Sequence, residues 1–482
     1  MMSNSLDIYI RSEKDGDMQA ADNAAFAKMK EVAQAYKAAE HGGNRLRVHL
    51  ILRNRQLANT LRNMPVSEGL DNDIELYTYT REDIHSMKIL GIEPGATPLL
   101  LREKVAYESN KRIHLVIFGA GPQAESLAIY TALAHHLPNY CRDNGLRSRI
   151  TWFADDKEQF HTFFTQYDSL LEQSYRRMVE IKGDEIKATT YAPAYAHERR
   201  DFVDVEWEFV TGKSSNEAVQ YKLQLWSNDE EQMLTIAFCY DDEGRNQNEA
   251  ITLPDEIKKK ERVIVRSNCS AAMDYLCRSA KYANIIPFGN DDDDIQWLGK
   301  YIMLAQYINF AYCSMRESTG KERSEGADDI EIAIEIPTQG QVQQLWNSDS
   351  LNTAKRWSNI YNSFALNIKM HLLGIPPERW NALFAIGTKD VEIFTEVEHN
   401  RWSVEELILG YRPATHEQHN ETLKDPAVRE KLKADFIHDD LRHFSELGTD
   451  STGLPVSRYD RGLTRTLPLI AHIYNRLKDN PQ

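Results

Sequence analysis

Ile113-His-Leu-Val-Ile-Phe-Gly119-Ala-Gly121-Pro-Gln-Ala124 decides how this chain is read, because an apolar run leads directly into a Gly-x-Gly-x-x-Ala turn and then a helical stretch. In such a turn the first glycine permits a tight bend, the second lets backbone approach a pyrophosphate, and the small third residue lets helix and strand pack closely. The helix start then offers unpaired N–H groups and partial positive charge to an anion. Gly119, Gly121 and Ala124 are therefore candidate nucleotide-binding positions.

Downstream, Leu127, Ala128, Tyr130, Thr131, Leu133 and Ala134 give the helix an apolar face suited to a sheet. Arg149–Ala154 reads as the next strand and ends on Asp155 and Asp156, where an acid meets a ribose in dinucleotide folds. The acid lies farther from the turn than the usual 20 or so residues, and the polar stretch 138–147 absorbs the excess as a loop. Strands are expected at Val205–Val210, Leu234–Tyr240, Val263–Arg266 and Asn284–Phe288, separated by helical or polar stretches. That alternation predicts an α/β chain with a doubly wound parallel sheet. Asp241 and Asp242 follow the Leu234–Tyr240 strand where open sheets bind ligands, and compete there with a plain role in a solvated turn and helix cap.

Ahead of this core, Leu6–Ile10, Arg47–Leu52 and Ile74–Tyr79 read as strands, and Asn23–Glu40, Gln56–Arg62 and Glu82–Leu90 as helices, which makes a small α/β module. Beyond it, Asp291–Asp294 is an acidic break, Ile295–Met315 an amphipathic helix, Asp329–Ile336 an alternating strand-like run and Gln341–Leu373 helical, with Trp346 and Trp357 as core or interface residues. The expected units are residues 1–110, 111–290, 291–394 and 395–482.

The 482 residues are 41% apolar and 27% charged, and no apolar run approaches the roughly 18–20 residues that span a bilayer. With no basic-then-apolar start, the expectation is a cytoplasmic protein. A net charge of −16 argues against broad nucleic-acid binding, which needs a basic surface. Cys141, Cys239, Cys269, Cys277 and Cys313 are scattered without any Cys-x-x-Cys, so reduced thiols are expected rather than disulfides or zinc. No histidine pair has the i,i+4 spacing of a shared metal, and no metal site is expected.

The last segment concentrates polar and aromatic groups: Glu398-His399-Asn400-Arg401-Trp402, Leu409-Gly410-Tyr411-Arg412, His438-Asp439-Asp440-Leu441 and Tyr459-Asp460-Arg461. Arginine pairs with phosphate or carboxylate, and tryptophan or tyrosine stacks on planar rings. Taken in order, these pieces resemble the RyR domain, named for the repeats of ryanodine receptors, over about Thr395–Ile473. The match departs at Asn400, where an acid is common, and at Tyr411 and Tyr459, where Trp and Lys are frequent. The middle of the chain resembles the TrkA-N or RCK nucleotide-binding domain of potassium-transport regulators, with Gly119, Gly121 and Ala124 on its phosphate turn and Asp155 or Asp156 on its ribose acid.

The two resemblances imply a Rossmann-like domain followed by a mainly helical RyR domain. They imply a non-enzymatic sensor that binds NAD or an adenine nucleotide at the glycine turn. A second, nucleotide-like ligand would meet Glu398, His399, Arg401, Trp402, Tyr411, Arg412, Asp440, Tyr459 and Arg461. They also imply a homodimer reporting to a separate membrane channel or transporter, or to a signalling or defence partner. An NAD(P)-dependent oxidoreductase is the alternative, but no catalytic residue is assigned. A purely structural interaction protein that has lost its ligands is a third reading.

Overall fold

Strand β4 (Arg112–Phe118) is the apolar run ahead of the glycines, and its side chains divide between two cores. Ile113, Leu115 and Ile117 enter one hydrophobic cluster, Val116 and Phe118 the other. A strand apolar on both faces belongs at the centre of a sheet covered on both sides. The computed structural model describes residues 7–13, 15–39, 45–62, 74–92, 95–183, 185–194, 200–268, 271–290, 295–322, 337–348, 351, 353–381, 385–449 and 453–479. The Asp291–Asp294 and Asp329–Ile336 runs and Cys269 lie outside these residues.

An N-terminal sheet of three parallel strands, β1 (Asp7–Arg11), β2 (Leu46–Leu52) and β3 (Ile74–Thr80), runs in the order β1-β2-β3. Helices Met18–Ala38, Arg55–Arg62 and Arg81–Ile89 accompany it. Ala21, Ala25, Met29 and Ala33 recur every four residues along the first helix, which is why that face is buried. Thr80 and Asp83 close a reciprocal capping box that starts the third.

The large sheet contains β4, β5 (Ser148–Ala154), β6 (Arg176–Lys182), β7 (Glu185–Tyr191), β8 (Val205–Thr211), β9 (Gln232–Phe238), β10 (Arg262–Arg266) and β11 (Ile285–Phe288). Its order is β11-β10-β9-β4-β5-β8-β6-β7, and every pairing is parallel except β6 with β7. The six strands β8-β5-β4-β9-β10-β11 follow the 3-2-1-4-5-6 order of a doubly wound dinucleotide fold. The strand order reverses between β4 and β9, which places the Gly119–Ala124 turn at the topological switch point.

The β6–β7 hairpin, inserted between β5 and β8 in the chain, extends one edge and was not expected from sequence. Its residues carry charges on alternate and adjacent positions, and all seven positions of β7 are exposed, so no apolar alternation marks it. Helices Trp297–Glu322, Gln339–Trp346, Thr353–Leu372, Thr388–Ile408 and Arg458–Asp479 follow the sheet. Trp346 and Trp357 are buried, and one continuous cluster joins Tyr79 of the small module, Ile117 of β4, Phe364 of the connector and Tyr474 of the last helix. No helix among the described residues is long and apolar enough to cross a membrane, and the described cysteines are free thiols.

Candidate functional site

The switch point is built on contacts that only glycine permits. Gly119 has φ +104°, and a Cβ there would lie 2.6 Å from the Tyr240 nitrogen and 2.7 Å from the Cys239 carbonyl carbon. Its carbonyl accepts a hydrogen bond from Trp152 Nε1 at 2.6 Å, which ties the turn to β5. Gly121 caps helix Pro122–Ala134 without a side chain of its own, and Pro122 follows, where its missing N–H costs nothing. Ala124 is fully buried, as close helix–strand packing requires.

The first turn of this helix is gripped by the N-terminal module. Gln123 Nε2 donates to Ser86 Oγ at 2.8 Å, and Ser126 Oγ donates to Asp83 at 3.0 Å. Asp83 is fully buried between Arg55 at 2.7 Å and Arg62 at 3.0 Å. Burial alone would raise its pKa, but the two guanidiniums outweigh that and bring it to about 2.

The four acids expected to meet a ligand separate into different roles. Asp156 accepts from the Glu158 nitrogen at 3.0 Å and caps the short helical turn Lys157–Phe160. Asp242 accepts from the Arg245 nitrogen at 3.1 Å and caps helix Glu243–Thr252. For these two the cap describes what the side chain does. Asp155 forms a bidentate pair with Arg245, at 2.7 and 3.0 Å. Asp241 is largely exposed, pairs with Arg266 at 3.2 Å, and places Oδ1 2.6 Å from where a Cβ on Gly121 would sit.

Residues missed in the sequence complete this edge. Arg245 lies over the Tyr240 ring with 3.5 Å from guanidinium carbon to centroid. Buried Asn246 accepts from the Tyr240 nitrogen at 2.8 Å and donates to the Tyr240 carbonyl at 2.9 Å and the Arg266 carbonyl at 3.2 Å, which fixes the ends of β9 and β10 together. The available signal was Tyr240-Asp-Asp-Glu-Gly-Arg245-Asn246, an arginine and an asparagine one turn into the helix after a buried strand.

In the C-terminal segment the expected ligand residues divide into a buried group, a half-open group and an outlying group. Glu398, Arg401 and Glu405 lie on one face of helix Thr388–Ile408 at i,i+3 and i,i+4 spacing and are all buried. Arg401 reaches Glu398 at 2.9 Å and also bonds Glu405, while Glu398 receives Lys369 and Asn362. Burial opposes ionisation of Glu398, yet Arg401 and Lys369 together lower its pKa to about 2. His399 is buried as well, with Nε2 2.8 Å from the Arg442 carbonyl and Nδ1 3.5 Å from Asp460. Glu398, His399 and Arg401, expected to face a ligand, are enclosed: Glu398 and Arg401 pair with each other, and His399 is held by the Arg442 carbonyl and Asp460. Arg412 pairs with Asp168 at 3.0 Å, and Gly410 accepts from Ser169 Oγ at 3.3 Å, so this stretch docks onto helix Asp168–Gln173 beside the large sheet. Tyr459 meets Tyr312 with ring centroids 5.5 Å apart, and Arg461 pairs with Glu392 at 2.7 Å.

The half-open group contains Trp402, Tyr411 and Asp440, joined by His438, Phe436 and Glu406. Trp402 stands edge-on to His438 at 4.9 Å between centroids, and Tyr411 lies 5.2 Å from Phe436. Phe436 is half exposed and is the non-glycine residue with positive φ among those described, at 58°. A bulky residue in that region is strained and is held there by its surroundings. His438, Asp439 and Asp440 bring one donor atom each within 4.8 Å of one another. Arg429 bonds Asp439 at 2.8 Å and the Asp440 backbone nitrogen donates to His438 Nδ1 at 3.2 Å, while Asp439 Oδ1 is buried without a hydrogen-bond partner.

Burial, reinforced by the Glu405 charge, pushes the Glu406 pKa up to about 8. A carboxyl whose folded pKa is raised stabilises the fold at low pH and loses that contribution as pH rises from the ordinary carboxylate range through about 8. Melting temperature should therefore fall between pH 5 and pH 9 in the natural chain, and Glu406→Gln should flatten that slope; an unchanged slope contradicts the assignment. No family profile, curated protein or solved structure matches the chain.

Proposed function

We propose that the chain is a non-enzymatic nucleotide sensor, with an adenine nucleotide or NAD bound across the crevice between β4 and β9. One observation carries the reading: the Gly119–Ala124 turn lies at the reversal of the 3-2-1-4-5-6 strand order, where open α/β sheets bind such ligands. Gly121 and the start of helix Pro122–Ala134 would receive phosphate, and Asp155, at the end of β5, would receive ribose hydroxyls. The aromatic and carboxyl group around Trp402, Tyr411 and Asp440 would hold a second, nucleotide-like ligand. Trp402 belongs to helix Thr388–Ile408, which packs against the glycine-turn helix, so the two sites share a rigid path. A difference in binding energy between two conformations is then the output, read by a partner such as a transporter or a signalling protein.

Thermal unfolding of the full chain with NAD, NADH, ATP, ADP and cyclic nucleotides tests this. A ligand at 100 times its Kd stabilises the folded state by about 2.7 kcal/mol, so at least one nucleotide should raise the melting temperature by several degrees. No shift with any of them at millimolar concentration contradicts the reading.

A further inference from the structure

Asp155, the acid positioned for a ribose, already holds a partner that comes from the far side of the glycine turn. It stands just past the end of β5, whereas Arg245 stands in the first turn of the helix after β9. β4 lies between those two strands and pairs with both. The bidentate pair at 2.7 and 3.0 Å therefore spans two strand spacings, roughly 9–10 Å of sheet, at the edge where β4 enters its glycines. Tyr240 supports it, with the guanidinium stacked 3.5 Å from the ring centroid. On the other flank Asp241 abuts Gly121 and pairs with Arg266. Both arginines described at this edge are held by carboxylates of the same edge.

We propose that the Asp155–Arg245 pair is a clasp across the crevice, and that Arg245 is a phosphate-binding residue which a nucleotide recruits by displacing Asp155. This rests on the reading of the crevice as a nucleotide site. A ligand crossing the switch point must pass the pair, and its two halves match what the pair contains: a phosphate replaces the carboxylate on the guanidinium fork, and vicinal ribose hydroxyls replace the guanidinium on the carboxylate. Guanidinium binds phosphate and carboxylate with the same bidentate geometry, so the exchange needs no new donor. The exchange is cheap, because both side chains are about one-third exposed, at 31% and 39%, and ion pairs at such exposure are weak. Tyr240 keeps Arg245 pointed at the crevice when Asp155 lets go. The crevice is thereby protected from small anions, which satisfy one half of the pair only.

Titration calorimetry of the full chain with ADP and with adenosine separates the outcomes. Arg245→Ala should weaken ADP by at least about tenfold, the scale of one charge-assisted contact, and leave adenosine as tight or tighter, because Asp155 is freed for the ribose. Asp155→Asn should act in opposite directions on the two ligands: ADP tightens severalfold because Arg245 loses its bidentate partner and keeps only the looser Glu249 at 3.6 Å, and adenosine weakens. A gain of affinity cannot come from misfolding, so this variant guards against a trivial loss. ADP affinities equal to wild type in both variants would overturn the clasp while leaving the nucleotide site intact. Failure of wild type and Asp155→Asn alike to bind ADP, adenosine or NAD would overturn the nucleotide reading, and the clasp with it.

Discussion

Arg401→Ala should destabilise the folded chain by about 3–5 kcal/mol, the scale of removing one partner from a buried ion pair. The guanidinium is enclosed between Glu398 and Glu405, all three buried, so truncation leaves carboxylates inside the helical core without their main counter-charge. Lys369 still reaches Glu398, which makes Glu405 the group most exposed to the loss. Restoring neutrality with Arg401→Met and Glu405→Gln together should recover part of the stability, because an apolar replacement removes the unpaired charge. Urea denaturation at neutral pH provides the measurement. A loss below 1 kcal/mol would place Arg401 at the surface, in the ligand-facing position that its sequence context suggests. Because Glu398 has a folded pKa of about 2, its contribution is present above the ordinary carboxylate range and lost as pH falls toward 2, so the Arg401 effect should shrink in acid.

Asp83→Ala should have an effect of the same size and a more local consequence. It removes the carboxylate that faces Arg55 and Arg62, breaks the capping box with Thr80, and deletes the acceptor of Ser126. The pair term is again about 3–5 kcal/mol, with about 1 kcal/mol more for the cap. Arg55 keeps Glu125 at 3.3 Å, whereas Arg62 keeps only neutral partners, the Thr78 carbonyl and Tyr361 hydroxyl. Hydrogen exchange should therefore rise first in helix Arg81–Ile89 and at the start of helix Pro122–Ala134, where the N-terminal module grips the glycine turn. Uniform loss of protection across the chain would contradict this role.

The sheet was legible because its central strands are apolar on both faces and bounded by turns. Arg149–Ala154, Val263–Arg266 and Leu234–Tyr240, which the structure ends at Phe238, needed only that signal, and in the small module Ile74–Tyr79 was found from its alternation. The β6–β7 hairpin was not, since Arg176–Lys182 and Glu185–Tyr191 spread charge over both faces of an edge. Neighbouring acids defeated the reading at single-residue resolution. Asp155 and Asp156 differ by one position, yet one pairs across the crevice and the other caps a turn.

Burial was the hardest property to foresee in the C-terminal block. Arginine and glutamate are mostly exposed in proteins, so Glu398 and Arg401 read as recognition groups although their spacing with Glu405 is that of an intrahelical ion network. Trp402, Tyr411 and Asp440 were three of nine expected ligand residues, and the structure sets them apart from the rest beside Phe436, His438 and Glu406, which carry no distinctive spacing with them. Arg245 was missed because the acids ahead of it drew the reading to the turn, while the residue that reaches across the sheet sits one helical turn later.

The most direct test of the nucleotide site is calorimetric titration of NAD and of ADP into the full chain and into its Gly121→Asp variant. That substitution sets a second carboxylate beside Asp241, at the start of helix Pro122–Ala134 where phosphate would lie. Asp241 is an exposed side chain able to turn aside, so the variant should fold. The account predicts saturable binding of at least one of the two ligands by the natural chain and its loss in Gly121→Asp. Binding that is equally tight in both proteins, or absent from the natural chain, would contradict it.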